Sequence, residues 1–545
     1  MSAGLELVQH ARAARRSIAL SGARLDPSDV YEWSSQGSQP GVRISIEVSP
    51  GAREAVERCA DFVARLAVSG RLAYGINTGF GHFAETPVPP ERLGELQRNL
   101  IRSHAVGVGE ELPRDVVLAM WILRLNTLCQ GRSGIRASTI DGAIRLLEAG
   151  VLGCVPSRGS VGASGDLAPS AHAVLTLLGE GQCTRPDATG TRIERVPARK
   201  ALEDLGVKPL APAAKEGLAL INGTQLTTAL ATKAWGEGCR LWHAANLAAA
   251  MTLEAVGGAF SILEEPVLAS HHPGTTVAGR ELARWLQSSE YLDGAGREGR
   301  FIQAPYSLRC APQVHGAVWG ELESGRDTLR EESRVTSDNP IVFAEEERIV
   351  CAGNFHAIYP ARVSDRIASA MATLGSISER RTNLLMDDGL TGLPRFLVAD
   401  GGLNSGMMML QVTAAALVSE AKALSMPASV DSIPTNCDRE DHVSMGPLAG
   451  LKALQAIDRV RFVTAIELIA AAQALEMRKL RRVAPAVREA LTRIREVVPF
   501  LDEDRTMAPE IALVAELIRT GALLAPQAVR LSLVPRQERR ARVVN

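Results

Sequence analysis

The stretch from Gly159 to Pro169 reads GSVGASGDLAP and holds the residues with the most distinctive potential for chemistry. Within it, Gly165 offers the least hindered backbone nitrogen available to a chain, because glycine has no Cβ and tolerates strained geometry. If a tight turn presses this nitrogen against the carbonyl carbon of Ala163, a five-membered ring can close. Loss of water, including the hydroxyl of Ser164, then leaves an exocyclic methylene conjugated to a carbonyl. The stretch therefore contains the residue types from which a chain can build an electrophile out of its own backbone.

Three other interpretations of the same stretch predict different chemistry. A phosphate-binding loop ends in Gly-Lys-Ser/Thr, whereas Gly165 is followed by Asp166. A nucleophile elbow has glycine two residues after its serine, and Asp166 occupies that position after Ser164. A plain turn stays open, because glycine and serine build turns for conformational reasons alone.

Several blocks of sequence carry a family resemblance. GSVGASGDLAPSAH resembles the signature of the histidine/phenylalanine ammonia-lyase family, whose Ala-Ser-Gly forms 4-methylidene-imidazol-5-one (MIO). Further blocks resemble the same family, in its order: YGINTGFG (74–81), NLIRSHAVGVGE (99–110), EGLALINGTQ (216–225), YSLRCAPQVHG (306–316), SDNPIVF (337–343), GNFHAIYPA (353–361), GGLNSG (401–406) and EDHVSMG (440–446). The resemblance implies that Ala163, Ser164 and Gly165 form MIO, that the substrate is an amino acid, and that no metal or external cofactor takes part.

Two tyrosines match catalytic positions of that family. Tyr74, which opens YGINTGFG, resembles the proposed base that takes the β-proton of the substrate. A β-proton is weakly acidic, so its removal needs a positioned base and a polarised substrate together. Tyr306 resembles the tyrosine that lies beside MIO. The alternative for Tyr74 is a packed ring with a hydrogen-bonded hydroxyl.

Other matched residues point to binding of the substrate. The resemblance places the substrate carboxylate at Arg309, whose planar fork suits a bidentate carboxylate partner. Asn222 resembles the asparagine that holds the carboxylate and the MIO region. Gln303 and Phe355 match pocket positions, with simple packing as the alternative for Phe355. Asp166 adjoins the expected ring and either helps its dehydration or caps a helix.

Two further residues bear on the choice of substrate. His104, in RSHAVG, and Glu440, in EDHVSMG, are similar to residues of histidine lyases, whose glutamate contacts the imidazole. A carboxylate can orient and partly protonate an imidazole ring. Histidine, with urocanate as its product, is therefore the expected substrate. The alternative for Glu440 is a cap or a surface ion pair.

The match to histidine lyases departs at three positions. Ala304 stands where those enzymes carry Asp, Ile358 where they carry Glu, and Arg439 where Gln or Thr is usual. Two carboxylates are thus lost and one cation is gained around the expected pocket. Two interpretations remain. These changes alter which substrate the pocket accepts, or they have little effect on it.

Alternative functions follow from the same residues. A tyrosine or phenylalanine lyase, a lyase for a modified histidine and a 2,3-aminomutase share the expected machinery. A catalytically silent helical scaffold is an alternative of another class, and it would carry an unmodified Ala-Ser-Gly. A serine hydrolase acting through Ser164 is a more distant alternative.

The elements that must position these residues are mostly helices. Asp365–Met386 has helical spacing that places on one face Ile367, Met371, Leu374 and Ile377. Within Ala456–Leu480 the sequence is apolar almost all round between Phe462 and Leu475, which is typical of a helix inside a bundle. Alternating strand patterns are few and short, with Val42–Val48 the clearest. We therefore expect a mainly α fold, and the resemblance implies a large bundle of the ammonia-lyase/fumarase type. The predicted parts are an N-terminal domain with the MIO loop (1–215), a central long-helix bundle (216–450) and a helical C-terminal part (451–545).

Composition excludes several partners. The 545 residues include 60 Lys and Arg against 61 Asp and Glu, without a long run of one sign. Binding to nucleic acid needs a concentrated basic surface, and binding to anionic membranes needs polybasic segments. Because the charges balance and are dispersed, neither partner is expected. Ala245–Leu263 is nearly long enough to span a bilayer, but Glu254 in its middle favours a buried helix.

Cysteine usage and the N-terminal residues bear on location and assembly. The 8 cysteines are scattered without a CxxC pair, which is typical of reduced thiols. The stretch MSAGLELVQHARAARRSIAL lacks the apolar core of a signal peptide, so a cytoplasmic protein is expected. The family resemblance implies a homotetramer whose active sites are each assembled from three chains.

Overall fold

Helices make up most of the chain, as the apolar spacing predicts. The computed structural model describes residues 16–258, 260–290, 301–480 and 482–524. Residues 1–15, which carry most of the predicted non-secretory N-terminus, and the last residues of the predicted C-terminal part lie outside the described residues. The chain divides into two compact units, each built from discontinuous segments. The first unit comprises residues 1–233, 326–365 and 427–451, and the second 234–325, 366–426 and 452–545.

The first unit combines short helices with small sheets. Its helices are α1 (Pro27–Gly37), α2 (Pro50–Ala67), α3 (Leu93–His104), α4 (Arg114–Leu128), α5 (Ala137–Glu148), α6 (Leu167–Leu175), α7 (Ala198–Asp204) and α8 (Glu216–Ile221). Its strands are β1 (Arg16–Leu20), β2 (Ile44–Val48), β3 (Val108–Glu111), β4 (Leu152–Gly153), β5 (Pro156–Arg158), β6 (Gln182–Pro186), β7 (Ile193–Pro197), β8 (Ile341–Phe343) and β9 (Arg348–Val350). The predicted strand over Val42–Val48 is thus present as β2.

Pairing within the first unit is local and mostly antiparallel. The sheets are β1–β2, β3–β5, β4–β6–β7 and β8–β9. Only β1 and β2 run in parallel among these pairs, with Ile18 opposite Ile46, and α1 connects them. A parallel pair needs such a crossover because its strands start at the same edge.

Local signals explain where the first helices begin. Asp26 accepts a hydrogen bond from the backbone nitrogen of Ser28 at the start of α1. Ser49 accepts one from the nitrogen of Ala52 at the start of α2, and Pro50 follows it in the first helical position. These side chains satisfy donors that the helix itself leaves unpaired.

Helices are the main regular elements among the described residues of the second unit, and none of the named strands lies in it. The helices that lie wholly within it are α10 (Glu265–Ala269), α11 (Pro273–Trp285), α12 (Tyr306–Arg309), α15 (Asp388–Thr391), α16 (Met408–Leu424), α18 (Pro485–Arg495) and α19 (Ala508–Thr520). Four long helices begin in one unit and end in the other: α9 (Gln225–Val256), α13 (Ala311–Glu332), α14 (Ile358–Leu385) and α17 (Gly446–Arg478).

Two of the long helices match their sequence patterns. In α14 the predicted face of Ile367, Met371 and Leu374 is fully buried. In α17 nearly every residue between Val463 and Leu475 is buried, as expected of a helix inside a bundle. The mainly α class is confirmed. The three-part division at residues 215 and 450 stays a prediction, because the two units are not continuous in sequence.

The apolar stretch Ala245–Leu263 lies largely on α9. Within the described parts of the chain, every helix is too short or too polar to cross a lipid bilayer. Glu254 is buried, and its Oε1 accepts a hydrogen bond of 2.9 Å from the backbone nitrogen of Ala484. Burial raises the pKa of this carboxyl, as expected for an acid that gives up hydration inside a protein.

Candidate active site

The loop that contains Ala163, Ser164 and Gly165 connects β5 to α6 in the first unit. Gly165 has a φ of +76°, in the left-handed region that favours glycine. A Cβ at Gly165 would lie only 2.3 Å from the carbonyl oxygen of Gly223. Both the backbone angle and the packing therefore require glycine at this position.

One side of the loop is held by the segment before α17. The backbone nitrogen of Met445 donates a hydrogen bond of 2.9 Å to the carbonyl oxygen of Val161. The hydroxyl of Ser444 donates one of 3.3 Å to the carbonyl oxygen of Gly162. The side chains of Val161 and Ala163 pack against a buried apolar cluster: Ala361, Ala428, Val443, Met445 and Ala449.

The other side of the loop is held by the turn between α8 and α9. The carbonyl oxygen of Gly223 accepts a hydrogen bond of 2.7 Å from the backbone nitrogen of Asp166. The side-chain nitrogen Nδ2 of Asn222 donates one of 3.0 Å to the carbonyl oxygen of Ser164. The loop is thus fixed on both sides by backbone and side-chain contacts.

Asp166 caps a helix, but not the one that it precedes. Its carboxylate accepts hydrogen bonds of 2.8 Å from both the backbone nitrogen and the hydroxyl of Thr227, in the first turn of α9. It makes no side-chain cap to its own helix α6. Burial raises the pKa of Asp166 to about 6, against the opposing effect of the Thr227 hydrogen bonds. This carboxylate ties the loop to α9.

Glu440 lies directly beside the serine of the loop. The hydroxyl of Ser164 donates a hydrogen bond of 2.9 Å to Oε1 of Glu440. The hydroxyl of Thr435 donates one of 2.7 Å to Oε2. The carboxylate is therefore oriented from both oxygens, and among the described residues it caps no helix and forms no ion pair.

Ser164 opens into a cavity of about 1050 Å³ formed by the first unit. The lining residues come from the loop, the turn after α8, the end of α3, the glycine-rich segment after Tyr74 and the segments before α14 and α17. They are Tyr74, Gly79, Phe80, Gly81, His82, Phe83, Leu96, Asn99, Leu100, Ser103, His104, Ser164, Leu167, Leu218, Asn222, Asn339, Cys351, Phe355, Asn436, Arg439 and Glu440. Six predicted site residues therefore share one cavity: Tyr74, His104, Ser164, Asn222, Phe355 and Glu440.

Tyr74 is half-buried in the wall of this cavity. Its hydroxyl lies 3.5 Å from the backbone nitrogen of Gly81, which donates to it. Its ring meets that of Phe80 edge to face, with centroids 6.5 Å apart. Burial raises the pKa of the phenol, and the hydrogen bond from Gly81 opposes the shift.

His104 is the last residue of α3, and its ring contacts the helix backbone. Its Nδ1 lies 2.8 Å from the carbonyl oxygen of Leu100, one helical turn earlier. A carbonyl oxygen only accepts, so Nδ1 donates this hydrogen bond.

Three predicted site residues lie apart from the cavity lining. Gln303, Tyr306 and Arg309 belong to the second unit. Tyr306 is 71% exposed, and the guanidinium carbon of Arg309 lies 4.5 Å from its ring centroid. This spacing fits a cation–π contact. The cavity of the first unit therefore lacks the arginine that the sequence assigns to the substrate carboxylate.

The three departures from histidine lyases occupy different environments. Arg439 lines the cavity, and within the described part of the chain it has no ion-pair partner. Ala304 is buried in the second unit, and Ile358 is the first residue of α14; neither lines the cavity.

The structure adds polar residues that the sequence did not single out. Asn99, Asn339, Cys351 and Asn436 also line the cavity. Asn99 and Asn339 stand inside the blocks NLIRSH and SDNPIVF, so their place in those blocks was an available signal. Cys351 and Asn436 lie outside the recognised blocks, and only the folded chain brings them here.

Comparison with known proteins identifies the class to which this fold and cavity belong. The profile of the family described as aromatic amino acid lyase matches residues 25–496. A histidine ammonia-lyase of Anaeromyxobacter sp. (strain K) is 47% identical over 481 residues, which cover 87% of this chain and 94% of the relative. The chain therefore belongs to the aromatic amino acid lyase family and is a carbon–nitrogen lyase, as its sequence motifs predict.

Solved structures agree with this assignment. The histidine ammonia-lyase from Trypanosoma cruzi superposes with a TM-score of 0.84 at 37% identity, covering 94% of this chain and 95% of that one. The ergothioneine-degrading enzyme ergothionase from Treponema denticola superposes with a TM-score of 0.87 at 28% identity, covering 93% and 99%. The bundle architecture expected from the sequence is that of these lyases.

Proposed function

We propose that this protein eliminates ammonia from L-histidine and releases urocanate. The observation that carries the proposal is the hydrogen bond of 2.9 Å between the hydroxyl of Ser164 and Oε1 of Glu440. It places the carboxylate expected to hold an imidazole next to the serine expected to become the electrophile. The similarity to histidine ammonia-lyases over most of both chains supports the same substrate.

We further propose that Ala163, Ser164 and Gly165 cyclise to MIO. Gly165 fits this reaction because its left-handed backbone and its contact with Gly223 hold it in a tight turn. Asn222 fits as well, since its Oδ1 is buried beside the loop without a hydrogen-bond partner among the described residues. Once formed, MIO supplies an electrophilic methylidene carbon that makes the substrate nitrogen a better leaving group.

Residues that line the cavity bind the substrate and move its proton. Cyclisation removes the hydroxyl of Ser164 as water, which frees Oε1 of Glu440 to accept the imidazole N–H of histidine. The substrate ring is thereby oriented by a carboxylate that Thr435 already holds. The phenolic oxygen of Tyr74 takes the β-proton. The starts of α6 and α9, which meet at Asp166, place positive helix ends beside the loop.

We also propose that the active site is completed by other copies of the chain in a homotetramer. The first unit's cavity lacks Gln303, Tyr306 and Arg309, which the family resemblance assigns to the site. Tyr306 is 71% exposed, and α16 exposes the apolar side chains of Met409 and Val412. Exposed apolar surface of this kind marks contacts between proteins.

Mixing two inactive variants tests the assembly. Tyr74→Phe and Arg309→Gln remove residues that we place on different chains of one site. Unfolding and refolding them together should restore part of the activity, because some sites then receive both intact residues. Light scattering should give the mass of four chains. A monomeric or dimeric active enzyme, or mixed chains that stay inactive, would contradict this assembly.

Near-UV absorbance of urocanate tests the reaction itself. The purified enzyme should convert L-histidine and leave L-tyrosine and L-phenylalanine unchanged, whereas Ser164→Ala should be inactive. If the enzyme does not convert histidine but does convert a modified histidine, such as its betaine, the substrate assignment is wrong and the lyase class is still correct. A β-amino acid among the products would identify an aminomutase.

A cytoplasmic location is part of the same proposal. All 8 cysteines are free thiols in the structure, as expected in a reducing compartment. Fractionation of the producing cells checks this point.

A further inference from the structure

A buried arginine lies behind the turn that contacts the loop. Arg124 sits on α4, where every residue from Val116 to Leu128 is buried. Its side chain is only 3% exposed. Burying a guanidinium costs free energy unless its hydrogen-bond donors and its charge find partners. The partners of Arg124 therefore show which segments its side chain connects.

The partners of Arg124 come from three separate segments around the turn. Its Nη1 donates hydrogen bonds of 3.0 Å to the carbonyl oxygen of Ser337 and 3.3 Å to Oε1 of Gln225. Its Nη2 donates to the carbonyl oxygen of Ala219, on α8. Oδ2 of Asp338 lies 3.8 Å from Nη2 and also pairs with Nζ of Lys215 at 3.1 Å, so it offsets the charge of Arg124 only in part. One side chain thus connects α8, the start of α9 and the segment before β8.

Gly223 lies between this arginine and the loop. A Cβ at Gly223 would meet Oε1 of Gln225 at 2.3 Å and Nη1 of Arg124 at 2.7 Å. Gly223 also forms an isolated bridge with Gly165. Gln225 cannot turn aside readily, since its Nε2 donates a hydrogen bond of 2.6 Å to the hydroxyl of Ser337. The order of contacts is therefore Arg124 and Gln225, then Gly223, then Gly165.

We propose that Arg124 is a positioning residue for the cyclisation of Ala163, Ser164 and Gly165. It keeps Gly223 pressed against Gly165, and so limits the motion of the Gly165 nitrogen away from the Ala163 carbonyl carbon. The inference rests on the proposed formation of MIO and extends it to a residue outside the cavity. Its physical basis is that an amide nitrogen is a poor nucleophile, so the reaction depends on proximity and orientation.

The reaction loses two water molecules in total. The Gly165 nitrogen bonds to the Ala163 carbonyl carbon, and its proton moves to the Ala163 oxygen. That oxygen leaves as the first water with the amide proton of Ser164, which forms a carbon–nitrogen double bond. The Ser164 hydroxyl leaves as the second water with the α-proton of the same residue. No oxidant or second substrate is needed.

The test compares substitutions at a buried arginine and a half-buried arginine of the same helix. Arg124→Met removes the proposed support, and Arg124→Lys keeps the charge but cannot reach all three acceptors. Arg114→Met is the matched control, because Arg114 also lies on α4 and donates to the carbonyl oxygens of Ser38 and Gly150, away from the loop. Intact mass and the mass of the peptide spanning the loop are followed after synthesis, together with the melting temperature.

We expect the rate of dehydration to differ between the variants by more than their melting temperatures can explain. Wild type and Arg114→Met should both lack the mass of two waters. Arg124→Met should lose water roughly 100-fold more slowly, the loss that a misplacement of about 1 Å causes in reactions governed by position. Arg124→Lys should fall between them. Complete dehydration of Arg124→Met at the wild-type rate would overturn the inference, as would equal slowing in Arg114→Met at an equal loss of melting temperature.

Failure of the proposed function would look different. If wild type itself retains both waters, MIO formation is wrong and the role of Arg124 is wrong with it. If Arg124→Met yields no folded protein, Gln225→Met tests the same contact while leaving Arg124 two of its acceptors. Slow dehydration of that variant supports the inference, and dehydration at the wild-type rate overturns it.

Discussion

The carboxylate of Glu440 accepts a hydrogen bond of 2.9 Å from the hydroxyl of Ser164, although 276 residues separate them in sequence. This contact joins the residue that is expected to choose the substrate to the residue that is expected to become the electrophile. If Ser164 loses that hydroxyl by the proposed cyclisation, the same oxygen of Glu440 becomes available to the substrate only in the mature enzyme. Under this proposal, maturation and substrate binding use one acceptor in succession.

Glu440→Gln should separate these two uses. The amide oxygen can still accept from Ser164, so intact mass should show normal loss of two waters. Recognition of the imidazole should weaken, because a hydrogen bond to a charged group contributes about 1.5–3 kcal/mol, or roughly 10- to 100-fold in kcat/KM. Steady-state kinetics with histidine measure the effect. Unchanged kcat/KM would show that Glu440 does not bind the substrate ring.

Activity should rise with pH through the alkaline range if Tyr74 is the base. Burial raises the pKa of Tyr74 above its ordinary value, so the phenol is protonated at neutral pH. The reactive phenolate becomes more abundant as the pH increases, and the raised pKa moves this rise upward. We expect kcat/KM to increase from about pH 7 to about pH 10, the ordinary tyrosine value.

The same profile in variants checks the assignment to Tyr74. Tyr74→Phe should lose most activity at every pH, whereas Phe80→Leu, which removes the edge-to-face ring contact but keeps the phenol, should keep the alkaline rise. A profile that falls over this range, or an active Tyr74→Phe enzyme, would argue for another base.

Arg439→Gln should have little effect on histidine turnover. The guanidinium lies at the exposed side of the cavity without an ion-pair partner among the described residues. Exposed charges contribute about 1 kcal/mol or less, so kcat/KM should change by no more than about fivefold. A larger loss would show that Arg439 determines which substrate the enzyme accepts. Modified histidines should then be tested with wild type and with Arg439→Gln.

Stability should depend strongly on the buried pair of Arg381 and Glu467 in the second unit. Both side chains are fully buried, and two hydrogen bonds of 2.5 and 2.9 Å join them. Arg381→Met would leave the carboxylate of Glu467 without its cation, at a cost of about 3–5 kcal/mol.

Denaturant unfolding measures this cost against an exposed control in the same unit. Arg519→Met removes a half-exposed guanidinium that pairs with the half-exposed carboxylate of Glu516, and it should cost at most about 1 kcal/mol. Equal destabilisation by the two substitutions would contradict the importance assigned to the buried pair.

Much of the helical scaffold follows from local sequence. The spacing of Ile367, Met371 and Leu374 defines the buried face of α14, because residues three and four apart lie on one side of a helix. The nearly unbroken apolar sequence in the second half of α17 likewise predicts the burial observed from Val463 to Leu475. The Ala-Ser-Gly loop and the family blocks are also legible in the sequence, since they depend on residue types at fixed short spacing.

Only the tertiary structure decides which distant residues meet. Asp166 precedes α6 but caps α9 through Thr227. The local sequence around a capping residue does not indicate that it caps a helix elsewhere in the chain. Arg124 looks like any charged residue on a helix until Gln225 and Gly223 are placed against it. Sequence patterns report periodicity within one element, whereas these contacts depend on how separate elements pack. The residue types of the site are therefore determined by the sequence alone, and its geometry by the long-range packing of the folded chain.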